Sequence, residues 1–396
     1  MPRTADVVVI GDGVVGASIA YHLAAAGSRV ALLARDGAFA HSATRHSAGQ
    51  VRMHHGDPHD ARLAALSLET FEQWPQLIGG DCGFRRTGFA FLVGDEHADR
   101  LARSVKELTE LGVSTYGLTP GEFAEAQPAL DLTGVAAVAY EPRSGYADPA
   151  RTAAVLAGRA RALGAEVVSA RAGARLCRSG DLITGAVAGD ETVSAGQVVV
   201  AAGAGSSGVC ADAGAGLGGD GGAGLPLHAR QFGWAVADSA ALPGAERLCM
   251  IIDDTAGTYF RPDGPGRVLF RIPLEPTAAP EGSTRIPADA EEIGVGRALA
   301  ARRLRGITAA PLVDAARADE AYTDDGRALV GPVGRHPGLY LATGFNGGGF
   351  KTAPAVGRAV ADELTTGAQR PELGAYRPDR FAAGPPRPTI QRYRHM

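Results

Sequence analysis

The apolar positions at the start of the chain follow the order strand, glycine turn, helix, strand. Residues 7–10 form a short apolar run, Val-Val-Val-Ile, which predicts a buried strand. Residues 17–26 carry helical patterning that ends at Gly27, a predicted C-cap, and residues 29–34 form a second apolar run. Strands that alternate with a helix in this way are typical of a βαβ unit with a parallel sheet.

Helical and strand-like patterns continue to alternate further along the chain. Helices are predicted at residues 61–74, 101–111, 120–126 and 153–163. Asp148 is the predicted N-cap of the last of these, with Pro149 at the first helical position. Strands are predicted at residues 83–93, 164–168, 198–202, 257–260 and 267–272, and a turn, a strand and a long helix at 323–365. The aromatic strand pattern at 83–93 indicates that the chain leaves its first domain there, and it returns near Asp148.

Length and composition limit the classes to which the protein can belong. The chain has 396 residues, of which 45% are hydrophobic and 21% charged, as is typical of a soluble globular protein. The length exceeds what a single core usually holds, so two domains are expected. The net charge of −4 gives no basic surplus, which argues against nucleic acid as a partner. No apolar stretch is long enough to span a bilayer.

The cysteines and the first residues bear on the compartment. The first strand is expected to begin about six residues into the chain, which leaves no room for a signal peptide. Cys82, Cys177, Cys210 and Cys249 lack metal-ligand spacing, so we expect reduced thiols and no metal site. A cytoplasmic protein is therefore predicted.

The turn between the first strand and the helix has the sequence Gly-Asp-Gly-Val-Val-Gly at residues 11–16. In this context the G-x-G-x-x-G pattern predicts a dinucleotide site. Gly11 permits the turn, Gly13 lets the backbone approach a pyrophosphate, and Gly16 allows close packing of helix and strand. The start of the helix offers free N–H groups and a partial positive charge to the phosphates.

Two later glycine segments join this motif. Residues 200–204 are Val-Ala-Ala-Gly-Ala, and residues 339–351 are Leu-Tyr-Leu-Ala-Thr-Gly-Phe-Asn-Gly-Gly-Gly-Phe-Lys. Residues 47–52 and 146–149 are intermediate landmarks. In this order the segments resemble the D-amino acid oxidase superfamily of FAD-dependent enzymes, and within it the glycine oxidase, sarcosine oxidase and dimethylglycine dehydrogenase group.

The resemblance implies an α/β fold, in which a Rossmann-type FAD-binding domain is interleaved with an α+β substrate domain built on a mixed antiparallel sheet. The FAD-binding domain is predicted to comprise residues 1–80, 145–215 and 320–380. The substrate domain is predicted to comprise residues 81–144 and 225–319, followed by a C-terminal tail at 381–396. The glycine-rich run at 214–224 is predicted to be a surface insertion.

The same resemblance implies FAD as the cofactor, bound without a covalent link. His46 nevertheless lies where dimethylglycine dehydrogenase-like enzymes carry a histidine bonded to the flavin. The turn at residues 347–349 is expected to bring backbone N–H groups beside N1 and O2 of the flavin ring. The predicted cofactor-binding residues are Gly11, Gly13, Val14, Val15, Gly16, Arg35, Ser42, Thr44, Arg45, His46, Ser47, Ala48, Gly49, Gln50, Val168, Ala202, Gly203, Gly344, Asn346, Gly347, Gly348, Gly349, Phe350 and Lys351.

The chain departs from its relatives at the ribose and at the electron acceptor. Ala34 ends the second strand where most relatives carry a ribose-binding glutamate, so one ribose contact is expected to be altered. Arg35 follows it and raises the alternative of an NADP-linked enzyme, in which an arginine binds the 2′-phosphate. The strand at 267–272 has no lysine like the one that sarcosine oxidases use for oxygen activation, which leaves O2 or another electron acceptor open.

The residues predicted to be catalytic are Arg52, Lys351, Tyr259, Arg261 and Glu320. Lys351 matches the lysine that binds the substrate carboxylate in sarcosine oxidases, and Arg52 aligns with an arginine near the flavin. Tyr259 and Arg261 are two residues apart on one strand, so their side chains share a face. Glu320 stands where the relatives carry Tyr or Arg in the substrate pocket. Pointing inward it would face a substrate amine, and pointing outward it would be a solvated acid.

The function implied by the resemblance is FAD-dependent oxidative deamination or N-dealkylation of an amino acid or N-substituted glycine, by hydride transfer to flavin N5. A glycine oxidase-like activity in a specialised biosynthetic pathway is expected, on a substrate with one or two carboxylates. The alternatives are a non-catalytic FAD-binding subunit of a larger amine dehydrogenase assembly and an NADP-linked reductase. Homo-oligomer formation is left open.

Overall fold

The fold is that of a computed structural model, which describes residues 3–35, 43–171, 173–215, 225–240, 242–274 and 288–381. Three predictions lie outside these residues: the cofactor contact of Ser42, most of the surface insertion (216–224) and nearly all of the tail (382–396).

The described residues form nine α-helices and nineteen strands, besides short 3-10 turns. The helices are α1 Val14–Ala25, α2 Pro58–Glu72, α3 Trp74–Leu77, α4 Asp95–Glu110, α5 Pro120–Ala126, α6 Pro149–Ala162, α7 Ser206–Ala211, α8 Ala290–Ala301 and α9 Gly349–Thr366. The strands are β1 Arg3–Ile10, β2 Val30–Ala34, β3 Gln50–Val51, β4 Arg85–Arg86, β5 Phe89–Val93, β6 Tyr116–Leu118, β7 Ala137–Glu141, β8 Gly145–Tyr146, β9 Glu166–Ser169, β10 Ala174–Ser179, β11 Leu182–Ala188, β12 Glu191–Val200, β13 Leu227–Asp238, β14 Met250–Asp253, β15 Thr258–Pro262, β16 Arg267–Ile272, β17 Leu312–Thr323, β18 Leu329–Pro332 and β19 Leu339–Thr343.

The first sheet is built around β1. Its order is β10-β11-β12-β1-β2-β9, with β19 paired to β12 and β18 paired to β19. The strands β9, β2, β1, β12 and β19 run parallel, and Val9 of β1 lies between Leu32 and Val199. Helices α1, α6 and α9 bury one face of this sheet in a single apolar core. An added Cβ on Gly357 of α9 would lie 2.1 Å from Ser18 Oγ, so this glycine lets α9 approach α1 closely.

The second sheet has the order β17-β13-β16-β15-β14-β5-β7-β6 and is mostly antiparallel. Side chains alternate between its two faces. One face, including Ala235, Phe260 and Phe270, packs into a separate apolar core. The opposite face places Val236 and Leu269 against Ala48, which belongs to the segment that follows β2 in the first domain. The second sheet thus faces the carboxyl-end region of the first.

The predicted fold class is confirmed, and several element boundaries are corrected. The helix predicted at 17–26 begins earlier, at Val14, because the glycine turn leads directly into it. Asp148 caps α6 as predicted, accepting a hydrogen bond from Arg151 N at 2.9 Å. The domain boundary predicted at residue 320 falls inside β17, which pairs with β13 as far as Thr323, so residues 320–323 belong to the second sheet. No helix in the described part of the chain is long and apolar enough to cross a membrane.

Candidate cofactor and substrate site

The glycine turn after β1 is tightly constrained by its surroundings. Gly11 has φ +111°, and a Cβ there would lie 2.4 Å from Ala201 O. A Cβ on Gly16 would lie 1.9 Å from Gly11 O. Helix α1 then begins at Val14, whose N–H donates to Thr44 Oγ1 at 3.0 Å. The first hydrogen bond within the helix runs from Ala17 N to Gly13 O. The amides of Val15 and Gly16 come before it and have no partner within the helix, which is what an anion site requires.

The other residues predicted to hold the cofactor on this sheet lie near the carboxyl ends of the same strands. Ala34 ends β2 and Arg35 is exposed just beyond it, while Val168 pairs with Leu33. Gly203 follows β12, and its carbonyl accepts a hydrogen bond from Thr343 Oγ1 at 3.1 Å. The parallel strands therefore bring Arg35, Val168, Ala202 and Gly203 to one edge of the sheet, together with the glycine turn.

The segment 43–51 lies between the two sheets. His46 and Ala48 are buried, and their carbonyls accept hydrogen bonds from Trp234 Nε1 and Arg261 Nε of the second sheet. Gly49 has φ +64°, and a Cβ there would lie 2.2 Å from Ala147 O. Gln50 Nε2 is buried and has no hydrogen-bond partner among the described residues. A buried amide of this kind requires a bound group or water.

The turn before α9 differs in one respect from the prediction. Gly347 N donates to Glu320 Oε1 at 2.9 Å, and Gly348 N donates to Phe345 O at 2.8 Å. Two of the three glycine amides expected to face the flavin are thus already used within the chain. Helix α9 starts at Gly349, and its bond from Thr352 N to Gly348 O leaves the amides of residues 349–351 at the helix start. These amides, rather than those of Gly347 and Gly348, are positioned to stabilise negative charge.

Lys351 is buried in the first turn of α9. Its Nζ donates to Gly347 O at 2.8 Å, and the residue is 4% exposed. Burial lowers the pKa of Lys351 to about 7, helped by the charge of Arg52 and opposed by Glu320 and Asp60. Lys351 is therefore a cation whose charge depends on its carboxylate neighbours.

The Glu320 side chain is directed toward the Gly347 turn. Besides accepting the Gly347 amide it lies near Lys351 and the hydroxyl of Tyr322. Burial raises the pKa of Glu320, whereas Lys351, the Gly347 amide and Tyr322 oppose that shift. Glu320 thus binds the backbone N–H of Gly347, and Lys351 binds the backbone carbonyl of the same residue.

The Arg52 side chain is buried, and its guanidinium contacts other residues of the chain. Its Nη1 donates to His54 O, and its guanidinium lies 5.6 Å from the centre of the Phe89 ring. Burial lowers the pKa of Arg52 to about 10, while Glu141 and Asp60 oppose the shift. The sequence indicated a cation here but not the protein contacts that it makes.

Two further groups near Lys351 were missed by the sequence analysis. His55 Nε2 is buried and has no hydrogen-bond partner among the described residues, and burial together with Arg52 and Lys351 holds the pKa of this histidine well below its usual range. Asp60 accepts a hydrogen bond from Tyr376 at 2.6 Å, and burial raises its pKa. The Asp-Pro pair at 57–58 marks the start of α2 and was the available signal for this region.

The face of the second sheet that looks toward this turn carries polar side chains. In the strand register Tyr259 is two places from Arg261, and Arg271 is paired with Trp234. Tyr259 and Arg261 share the face, as predicted. Arg261, however, donates hydrogen bonds to Ala48 O and Asp263 Oδ1 and lies over the Tyr146 ring. Tyr259 instead lies near Arg271 and Glu320, and burial raises its pKa to about 12. Tyr259 therefore belongs with the Glu320 group, whereas Arg261 anchors the 43–51 segment.

The residues present fit a dinucleotide with a reactive ring between the two sheets. The glycine turn after β1 and the start of α1 suit a pyrophosphate. Gln50 Nε2, His55 Nε2 and the amides of residues 349–351 offer donors at the far end. Fold and site together define a two-domain dinucleotide-binding protein.

Comparison with known families identifies the group to which the chain belongs. The sequence profile of the DAO family, FAD dependent oxidoreductase, matches residues 6–363. The chain is a member of this family, and the predictions of an FAD-dependent oxidoreductase and of FAD as its cofactor are confirmed.

Curated relatives align over most of the chain at modest identity. A 4-methylaminobutanoate oxidase (formaldehyde-forming) of Paenarthrobacter nicotinovorans is 27% identical over 398 residues, covering 96% of this chain and 46% of the relative. The mitochondrial sarcosine dehydrogenase of Homo sapiens is 25% identical over 390 residues, covering 96% of this chain and 42% of the relative. The chain thus spans less than half the length of these two proteins.

Solved structures share the fold along nearly the whole chain. L-proline dehydrogenase from P. horikoshii superposes with a TM-score of 0.85 at 25% identity, covering 98% of this chain and 100% of the other. Glycine oxidase from Geobacillus kaustophilus superposes with a TM-score of 0.79 at 24% identity, covering 95% and 98%.

Proposed function

We propose that the protein oxidises the C–N bond of an N-substituted amino acid or amino acid, with FAD as the first electron acceptor. The observation that carries the proposal is that Glu320 binds the N–H of Gly347 and Lys351 binds its carbonyl, with Tyr259 close enough to feel the charge of Glu320. The Glu320 carboxylate at this position suits the amine of such a substrate, because it accepts hydrogen bonds and carries the opposite charge. The two curated relatives are named for 4-methylaminobutanoate and sarcosine, which are N-methylated amino acids, and this supports the same class of substrate.

FAD, when bound, would supply the two-electron oxidation of the C–N bond, and hydrolysis of the resulting imine would give a carbonyl compound and the shortened amine, or ammonia from a primary amine. The chain's own residues orient the substrate. Glu320 accepts a hydrogen bond from the amine and so fixes the position of the reacting nitrogen. O2 or another acceptor takes the electrons afterwards. The described residues that are predicted to bind the cofactor, from Gly11 to Lys351, would hold FAD between the two sheets.

The proposal is tested by mixing the purified yellow protein, without oxygen, with a panel of primary and N-methyl amino acids. A substrate bleaches the absorbance of oxidised flavin within one turnover. Quaternary trimethylammonium analogues serve as the chemical control, because their nitrogen has no lone pair with which to form a C=N bond when hydride leaves. If dithionite bleaches the flavin and no amine does, the proposal is wrong. Bleaching by NADPH alone would instead support the reductase alternative.

A further inference from the structure

Arg230 and Glu320 face each other across two strands without forming an ion pair. They are directly paired in the register of β13 and β17, so their side chains share a face. Glu320 Oε1 nevertheless accepts from Gly347 N, and the Arg230 guanidinium lies 4.9 Å from the centre of the Tyr322 ring. Arg230 is exposed. The result is a cation that is held by an aromatic ring on the substrate face, next to a carboxylate that is engaged elsewhere.

Glu320 makes the Gly347 turn a poor place for a substrate carboxylate. Glu320 and Lys351 both bond to Gly347, so a carboxylate bound at Lys351 would lie beside a second negative charge, which is unfavourable in a buried site. The charge of Lys351 is also partly offset by Asp60. The same position suits an amine, because Glu320 accepts hydrogen bonds and carries the opposite charge.

A second arginine lies on the same face. Arg271 is half-buried, and its Nη1 donates to Gly257 O. Burial raises the pKa of Tyr259, and Glu320 together with burial raises the pKa of Tyr322, while the charge of Arg271 opposes both rises. Arg230 and Arg271 thus flank the two tyrosines. Guanidinium groups suit carboxylates, which they bind with two parallel hydrogen bonds.

We propose that the substrate carries its carboxylate away from the reacting nitrogen, separated by two or more methylene groups, with Glu320 binding the amine and Arg230, aided by Arg271, binding the carboxylate. This inference rests on the proposed amine oxidation and specifies its substrate class. It decides between an α-amino acid and an amino acid whose two charged ends are further apart. Arg230 is then the residue that sets the preferred chain length.

The experiment uses the holoenzyme and a series of N-methyl amino acids with one to about four methylene groups between nitrogen and carboxylate. Anaerobic flavin reduction gives kcat and KM equivalents for each compound. Wild-type protein is expected to prefer a longer member over sarcosine by at least about tenfold. The Arg230→Met variant is expected to raise the KM for that longer substrate about 10- to 100-fold, and to leave the primary-amide analogue of the same substrate unchanged.

Two further variants separate charge from structure. Arg230→Lys keeps the charge and is expected to retain the preference for the longer substrate. Arg175→Met removes an exposed arginine from β10 of the other sheet and is expected to leave all constants unchanged. Sarcosine as the best substrate, or an unchanged KM in Arg230→Met, overturns the inference while the proposed amine oxidation stands. If no amine reduces the flavin, the proposed function itself fails.

Discussion

At the carboxyl end of β1 the site is built from backbone, whereas on the facing side of the second sheet it is built from charged side chains. The first region depends on glycines whose missing Cβ atoms leave room for carbonyl groups, as at Gly11 and Gly16. The second depends on Glu320, Lys351 and Arg230, which come from three separate elements. Backbone geometry tolerates almost no substitution, while a charged face changes its ligand when one side chain changes. The nucleotide end is thus suited to one cofactor, and the substrate end to variation.

The largest expected effect comes from breaking the backbone region with Gly16→Ala. The added Cβ would lie 1.9 Å from Gly11 O, and Gly11 is itself closely surrounded, since a Cβ there would lie 2.4 Å from Ala201 O. We expect the variant to lose nearly all bound FAD, or to fail to fold, since such a contact requires the turn to move. The ratio of flavin to protein absorbance after purification measures this.

Gly158→Ala is the matched control for this prediction. Gly158 lies within α6, and nothing is within 4 Å of the position of its added Cβ. Replacing a helical glycine with alanine at such a site is expected to stabilise the protein by about 0.4–1 kcal/mol. A Gly16→Ala protein that retains one FAD per chain would show that the turn is more adaptable than its contacts indicate.

The two regions were not equally accessible to sequence analysis. The need for glycine at positions 11 and 16 is local and therefore visible in the sequence. The substrate face depends on strand register, which pairs Arg230 with Glu320 across 90 residues, and a single sequence does not give that register. The sequence suggested Tyr259 and Arg261 as a pair, but only the fold separates them, because Arg261 bonds to Ala48. His55 was missed since its burial beside Lys351 results from the packing of distant segments.

The second prediction concerns the charged region and the way in which its contribution to the free energy of unfolding depends on pH. The folded protein has a lowered Lys351 pKa of about 7, so between about pH 7 and the unfolded value near 10.4 the unfolded state binds more protons. Stability from this group therefore rises with pH across that window and is constant below about pH 7, where the lysine is protonated in both states. We expect the free energy of unfolding of wild type, relative to Lys351→Met, to increase by up to about 1.4 kcal/mol per pH unit. Urea denaturation at several pH values measures the difference.

The groups that face Lys351 determine how this result is interpreted. Arg52 lowers its pKa, whereas Glu320 and Asp60 raise it. Glu320→Gln retains an acceptor for Gly347 N but removes the charge, so it is expected to lower the Lys351 pKa and to move the start of the window to lower pH. A pH-independent difference between wild type and Lys351→Met would contradict a buried lysine with a lowered pKa.

The smallest expected effect concerns the bond that joins the 43–51 segment to the glycine turn. Val14 N is the first amide of α1, and Thr44 Oγ1 accepts its hydrogen bond from a buried position 30 residues away. Thr44→Val keeps the shape of the side chain but removes the acceptor. Loss of a capping bond of this kind costs about 1 kcal/mol, which corresponds to a roughly fivefold weaker Kd for FAD when the apoprotein is titrated. Thr44→Ser retains the oxygen and is expected to bind like wild type. A Thr44→Val protein with unchanged FAD affinity and melting temperature would mean that the segment is held by Trp234 and Arg261 alone, so that the charged sheet, and not the backbone region, positions the cofactor loop.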